Sequence, residues 1–424
     1  MVEAIILAGG LGTRLKKKLK FKSKTLTFVK KKSLLERIIY DCVKYKIFNI
    51  HLIINENQKD IIEYLSKKKI KANIKIHIEK QPLGDGGALS LLKKENFLSK
   101  KNFLVINGDL LININLKKIV NFHKKINSQL TIVTHPNNHP YDSDILQTNE
   151  NNKLIKIFNK PHSKKLIYKN NISSGIVVIS GSLIKNIPEK KKSFYKEIIP
   201  ELLKKNKKII CYKTREFIKD LGTPERLIKG RRIFDTVKFK FSNIKNKLPA
   251  IFLDRDGVIN KETHKKIEDP TIFFPNTIEA VKKINNSNYL CILVTNQPSI
   301  AKGFITKSKL EFLHKKLETK LGNTGAYFDA IYYCPHHPSK GFQNENILYK
   351  KICDCRKPKI GMLKKANLDL NINMKKSYFI GNTIVDYQTA QNAKLKYIHI
   401  GNNKIFNTRI KKFKNLYSAI KNII

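Results

Sequence analysis

A chain of 424 residues is too long for one ordinary domain and predicts two or three. Apolar residues make up 41% of it and charged residues 28%, which excludes a disordered chain and lets each half bury a core. Six cysteines exclude a disulfide scaffold, and no apolar run approaches the ~18 residues of a membrane span. The formal net charge of +51 has two readings. One is a polyanionic partner such as nucleic acid. The other is uniform enrichment, because Lys is scattered through every segment together with Asn and Ile, residues that rise together in coding DNA rich in A and T. A nucleic-acid module concentrates its charge on one element and interleaves aromatics. The expectation is therefore small phosphorylated substrates, no specific nucleic acid and no membrane. Met1 is followed almost at once by a strand and a glycine loop, an opening that gives cytoplasm as the expected location.

In chain order, the apolar runs Ala4–Leu7, His51–Ile54, Ile74–Ile78 and Phe103–Ile106 read as buried strands. Leu34–Tyr45, Lys59–Ser66 and Ala88–Lys94 read as helices between them. This alternation predicts a mostly parallel sheet with helices on both faces. Near residue 230 the pattern breaks into a charged stretch that ends at Pro249. It then restarts with strands at Ala250–Leu253, Leu290–Val294, Ala330–Tyr333, Ser377–Ile380 and Tyr397–Ile400. Helices are expected near Asn276–Asn285 and at Lys307–Leu321 and Met362–Leu368. The division is 1–230, a linker at 231–248, and 249–424, as two doubly wound three-layer α/β/α domains.

The first strand runs into Leu7-Ala8-Gly9-Gly10-Leu11-Gly12-Thr13-Arg14-Leu15. Glycines let backbone N–H groups approach phosphate oxygens, and Arg14 can fork two of them. The spacing is neither a P-loop nor the dinucleotide fingerprint. It resembles the sugar-nucleotidyltransferase signature L-A-G-G-x-G-T-R-L, which implies a Rossmann-like domain gripping a nucleoside triphosphate with Leu7, Ala8, Gly9, Gly10, Gly12 and Thr13. By the same resemblance Lys24 holds phosphate, with Thr25 where the family has Pro. Glu79-Lys80-Gln81-Pro82-Leu83-Gly84-Asp85-Gly86-Gly87 is similar to the base-recognising loop and implies Gly84 and Gly87 at the nucleotide. Asn107-Gly108-Asp109 and Lys219-Asp220-Leu221-Gly222-Thr223-Pro224 imply Asp109 and Asp220 as Mg²⁺ ligands. Asn159-Lys160-Pro161 and Ser174-Gly175-Ile176 imply Lys160 and Gly175 at the sugar phosphate, with Asn159 in place of the family's Glu.

Asp254-Arg255-Asp256-Gly257 follows an apolar strand. Two carboxylates so placed can share one Mg²⁺, one attacking phosphorus and the other protonating the leaving oxygen. The segment resembles motif one of the haloacid dehalogenase phosphatases, with Asp254 as nucleophile and Asp256 as acid/base. Thr295-Asn296-Gln297 is similar to motif two at the phosphate, and Arg356-Lys357 to motif three. Gly381-Asn382-Thr383-Ile384-Val385-Asp386 is similar to motif four, with Asn382 where the family has its metal-binding Asp.

Cys334-Pro335-His336-His337 and Cys353-Asp354-Cys355 give C-x-H, a gap of 16 residues, then C-x-C. Three thiolates and an imidazole suit a closed, structural Zn²⁺ site of Cys334, His336, Cys353 and Cys355, with His337 as the competing fourth ligand. This loop resembles the heptose-1,7-bisphosphate 7-phosphatases, with histidinol-phosphate phosphatases as near relatives; both lack a large cap. Such a fusion implies NDP-heptose synthesis for lipopolysaccharide, with GTP the first choice of nucleotide. The alternative is a mannose or other hexose 1-phosphate nucleotidyltransferase fused to a histidinol-phosphate-like or general sugar phosphatase.

Overall fold

A computed structural model describes residues 2–10, 23–96, 98–163, 165–261, 271–401 and 410–424. It divides into two units. The first comprises Met1–His135, Ser143–Lys160 and Asn171–Asn243; the second comprises Pro136–Asp142, Pro161–Asn170 and Ile244–Ile424.

The strands of the first unit are β1 (Val2–Leu7), β2 (Phe28–Val29), β3 (Lys32–Ser33), β4 (Asn49–Asn55), β5 (Asn73–Glu79), β6 (Asn102–Asn107) and β7 (Leu110–Asn113), then β8 (Leu130–His135), β9 (Ile145–Thr148), β10 (Leu154–Phe158), β11 (Ile172–Ser180), β12 (Ile209–Lys213) and β13 (Phe217–Asp220). Nine of them form one sheet in the order β10-β9-β11-β6-β1-β4-β5, with β8 on β11 and β12 on β8. Ala4, Ile5 and Ile6 of β1 are wholly buried, as a central strand with both faces covered requires. The edge strand β5 instead alternates polar and apolar residues. Helix Leu34–Lys44 is capped by Ser33, whose side chain accepts from Glu36 N, and buries the stripe Leu34, Leu35, Ile38, Ile39 and Cys42.

The sheet is mixed where the sequence predicted a mostly parallel one. β1, β4, β5 and β6 are parallel, but β11 runs antiparallel to both β6 and β8. An apolar run tells that a strand is buried, not which way it points. The segment Ala88–Lys94, expected as a helix, is wound as a 3-10 helix. The stretch expected to be a linker, 231–248, is helical in its first part: Pro224–Phe234 continues into it and Val237–Phe241 follows. Its aromatics explain this. Phe239 is buried against Phe217 and Phe234, at ring distances of 5.0 and 4.9 Å.

The second unit carries β14 (Ala250–Leu253), β15 (Leu290–Asn296), β16 (Ala330–Cys334), β17 (Tyr378–Gly381), β18 (Lys396–Ile400) and β19 (Lys411–Phe413). They make a six-stranded sheet in the order β16-β15-β14-β17-β18-β19, every pair parallel. Both sheets reverse their winding beside the first strand, between β1 and β6 and between β14 and β17. In open α/β sheets the crevice at the carboxyl ends of the strands flanking such a reversal is where ligands bind. No helix among the described residues is long and apolar enough to cross a membrane.

Candidate active sites

In the first unit, Lys24 and Asp109 meet beyond the carboxyl ends of β1 and β6, with Nζ 2.6 Å from Oδ2. The loop bearing Lys24 is pinned by Ser23, whose N–H and hydroxyl both donate to Asp60, at 3.0 and 2.7 Å. Gly108 N–H donates to Leu7 O at 2.9 Å, so the chain after β6 lies directly on the end of β1. The main chain brings the backbones of Asp109 and Asp220 together: β7 and β13 pair antiparallel, Asp220 lies opposite Leu110, and Leu221 N–H donates to Asp109 O at 3.0 Å. Asp220 is further held by Arg226 and accepts from Gly222 N–H at 3.1 Å.

Ala8 N–H donates to Ile53 O at 2.8 Å, and a Cβ at Gly9 would collide with the Glu79 carboxylate. Burial raises the Glu79 carboxyl above its usual range, against the N–H of Leu83 donated to it. Gly10 lies against the Lys24 stem, and its carbonyl accepts from Gln58. Gly12, Thr13 and Arg14 lie outside the described residues. Gly175 is held at φ +77 with its α-carbon against the Asn107 side chain. Leu7, Asp85, Asn107, Gly175, Phe194 and Tyr195 line a cavity there. Gly84 and Gly87 have a packing reason of their own, since a side chain at either would meet the backbone at Lys190–Lys192, and Gly87 N–H donates to Lys192 O at 3.1 Å. Lys160 N–H donates to Asp144 Oδ1 at 3.2 Å. With its amide oriented to donate, Asn159 reaches Tyr195 O and the same Asp144 oxygen, each at 3.2 Å.

The second unit gathers its residues more tightly. Asp254 follows β14, and its N–H donates to Ile380 O on β17. Lys357 Nζ lies 2.8 Å from Asp254 Oδ1 and 2.6 Å from Asp386 Oδ1, with all three residues buried. Burial, then the facing Asp386, pushes the Asp254 carboxyl up; Lys357 pulls against both. Burial works against the charge of Lys357, but its two carboxylates outweigh that and hold it above its ordinary value. Asp256 accepts from Arg255, from Gln297 Nε2 at 2.9 Å and from Asn260 Nδ2 at 3.1 Å. Gln297 also donates to Thr295 Oγ1 at 2.9 Å. Asn296 clamps the backbone of Lys357 in both directions, accepting its N–H at 3.0 Å and donating to its carbonyl at 3.2 Å.

Asn382 lies against Gly257, whose φ of +83 and lack of a Cβ make room for the amide. Its Oδ1 is buried with no hydrogen-bond partner. An orphaned amide oxygen beside the turn of Asp254, Asp256 and Gly257, where Asp254 and Asp386 share one lysine, completes an oxygen donor set suited to Mg²⁺. Asp386, at the end of the motif-four segment, has a role that the sequence does not assign. Besides Lys357, it accepts from the Asn382 and Thr383 N–H groups and the Thr383 hydroxyl, and is wholly buried. The Thr-x-x-Asp spacing of a capping box was the signal for it.

Cys334, His336, Cys353 and Cys355 bring their ligand atoms within 4.8 Å of one another. Cys355 Sγ is 3.2 Å from Cys334 Sγ, 3.3 Å from Cys353 Sγ and 3.2 Å from His336 Nδ1. A tetrahedral ion with metal–sulfur bonds of ~2.3 Å and a metal–nitrogen bond of ~2.0 Å sets two sulfurs about 3.8 Å apart and a sulfur and a nitrogen about 3.5 Å apart, so the four ligand atoms converge as such a site requires and would spread by about half an ångström to admit the ion. His337 stands outside the group, its Nδ1 accepting from Ser339 N–H at 3.2 Å. Arg356 donates to His336 O at 3.2 Å, tying the cysteine loop to the Lys357 segment.

Residues 3–235, more than half of the chain, match the family model for nucleotidyl transferases, and residues 251–414 match that for polynucleotide kinase 3 phosphatases. A D-glycero-beta-D-manno-heptose-1,7-bisphosphate 7-phosphatase of Photorhabdus laumondii is 41% identical over 149 residues, which are 35% of this chain and 77% of the relative. The enzyme of that name from Escherichia coli K12 is 38% identical over 144 residues, 34% of this chain and 73% of the relative. The solved structure of HddC from Yersinia pseudotuberculosis complexed with GMP-PN is 25% identical, covering 55% of this chain and 100% of that one at a TM-score of 0.48. The chain thus belongs to the nucleotidyl transferase family through its first half and to the D-glycero-beta-D-manno-heptose-1,7-bisphosphate 7-phosphatase family through its second.

Proposed function

We propose that the chain is a bifunctional enzyme of NDP-heptose synthesis. It removes the 7-phosphate of heptose 1,7-bisphosphate and joins the resulting heptose 1-phosphate to a nucleotidyl group, from GTP in the first instance, with release of pyrophosphate. The observation that carries this reading is the joining of the two family matches in one chain, since the product of the one reaction is the substrate of the other. We assign the transferase to 1–230 with its helical extension, and the phosphatase to 249–424.

In the phosphatase, an Asp254 oxygen attacks phosphorus and the bond to the sugar oxygen breaks, with Asp256 giving that oxygen its proton. Asp256 then takes a proton from water as the water attacks the aspartyl phosphate, which frees phosphate and restores Asp254. Thr295, Asn296 and Gln297 set the pocket for the phosphoryl group, and Lys357 balances its charge. Asp254, Asp256 and Asn382 would hold Mg²⁺, which supplies positive charge to the phosphoryl oxygens. Cys334, His336, Cys353 and Cys355 would hold a structural Zn²⁺ and so fix the segment of Arg356 and Lys357.

In the transferase, an oxygen of the sugar phosphate attacks the α-phosphorus and the bond to pyrophosphate breaks. The protein positions both partners and offsets their charge, with Arg14 and Lys24 on the phosphates and Lys160 and Gly175 at the sugar phosphate. Asp109 and Asp220 would hold Mg²⁺ there.

The test is to incubate the chain with heptose 1,7-bisphosphate and each nucleoside triphosphate, following phosphate and pyrophosphate separately. Phosphate should appear without any nucleotide, and pyrophosphate only after phosphate. Equal turnover of histidinol phosphate, or faster pyrophosphate release with mannose 1-phosphate than with heptose 1-phosphate, would overturn the assignment of substrate.

A further inference from the structure

One face of the nine-stranded sheet carries a polar cluster that neither reaction uses. β4 contributes His51, β5 contributes His77, and the turn after the 3-10 helix Ala88–Lys94 contributes Glu95. His51 Nδ1 and His77 Nε2 are 2.9 Å apart, and His77 Nε2 is 3.9 Å from Glu95 Oε1. The three ligand atoms lie within 4.8 Å of one another. An ion ~2.0–2.1 Å from each of three tetrahedral ligands would set them about 3.3 Å apart, a value these two spacings bracket.

The surroundings are built in the way a ligating imidazole requires. The second ring nitrogen of His51, Nε2, lies 2.9 Å from Glu3 Oε2, and Glu3 is itself held by Lys101 at 2.7 Å. A carboxylate behind an imidazole fixes the tautomer, so Nε2–H donates to Glu3 and the Nδ1 lone pair is presented toward His77 and Glu95. His51 and Glu3 are buried, and their ring and carboxylate have little freedom to turn away. Lys75 contacts Glu95 at 2.7 Å, but its side chain is 61% exposed and can swing off into solvent.

We propose that His51, His77 and Glu95 form a site for a divalent transition-metal ion, zinc foremost, with a water completing the shell. Two imidazoles and one carboxylate favour zinc and its neighbours over Mg²⁺, which prefers oxygen ligands. The ion would brace the edge strand β5 and the turn at Glu95 against β4. Glu79, which abuts Gly9, stands two residues beyond His77 on the same face of β5, so this brace lies one pleat behind the glycine loop.

The full-length chain is stripped of metal, equilibrated with zinc, desalted and its zinc content measured. Wild type should retain one more zinc per chain than either His77→Gln or Glu95→Gln. Glu95 is partly exposed in a turn, so its variant keeps the test open should His77→Gln fail to fold. Cobalt(II) gives a reading on unmodified protein: sulfur-to-cobalt absorption from the cysteine group should saturate while weak d–d absorption continues to grow, and Glu95→Gln should remove only the latter. Equal zinc in wild type and variants, or no cobalt uptake after the sulfur bands saturate, would overturn the proposal.

Discussion

The two phosphorus-handling centres solve the same charge problem in different ways. In the phosphatase unit, Asp254 and Asp386 share a single Lys357 whose side chain is 3% exposed. In the transferase unit each acid has its own base, Lys24 with Asp109 and Arg226 with Asp220, and the side chains keep 14–34% of their exposure. A buried group with more negative than positive charge is relieved either by a proton or by a further cation. Paired groups near solvent are already balanced, and can open to an incoming anion. The first centre is a rigid socket; the second is a set of latches.

Five substitutions would sharpen or break this contrast. The largest effect is expected for Asp254→Asn, which should lower phosphate release from heptose 1,7-bisphosphate on the order of 10⁴-fold by loss of the nucleophile. Pyrophosphate release from heptose 1-phosphate should be unchanged; a parallel fall would mean the two sites do not act separately.

Lys357→Met leaves two buried carboxylates facing each other, and should cost about 3–5 kcal/mol in urea unfolding of the phosphatase unit. Lys24→Met breaks a part-exposed pair and should cost under ~1 kcal/mol, while pyrophosphate release falls roughly 10²–10³-fold. Similar stability losses at both lysines would erase the distinction between socket and latch.

Gly9→Ala forces the Glu79 carboxylate to move, and should raise KM for the nucleoside triphosphate about tenfold, a loss near 1.4 kcal/mol, with phosphate release untouched. The smallest effect is expected for Asn382→Asp. Adding a charge to the oxygen donor set should lower the Mg²⁺ concentration for half-maximal phosphate release a few-fold. An unchanged requirement would remove Asn382 from the metal shell.

The strands that carry the chemistry were legible because β1, β6, β14 and β15 are short apolar runs ending in polar or glycine residues. The residues that hold the reactive ones in place were not. Ser23 is fixed by Asp60, 37 positions away, and Lys357 by Asn296, 61 positions away. No local period encodes such pairs. Asp386 was hidden differently: it stands at the third position of the helix Ile384–Asn392, where an acid already has a capping role. The helical turns within 231–248 were not legible because the stretch is charged, while the packing is carried by Phe234 and Phe239 alone.

The ladder between β7 and β13 has a consequence for how this chain could change. Asp109 and Asp220 are spaced by peptide groups, through the pairing of Asp220 with Leu110 and the bond from Leu221 N–H to Asp109 O. Main-chain amides are the same whatever side chain they bear. A genome drifting toward lysine, asparagine and isoleucine could therefore rewrite most of the surrounding surface while the gap between these two acids stayed as it was.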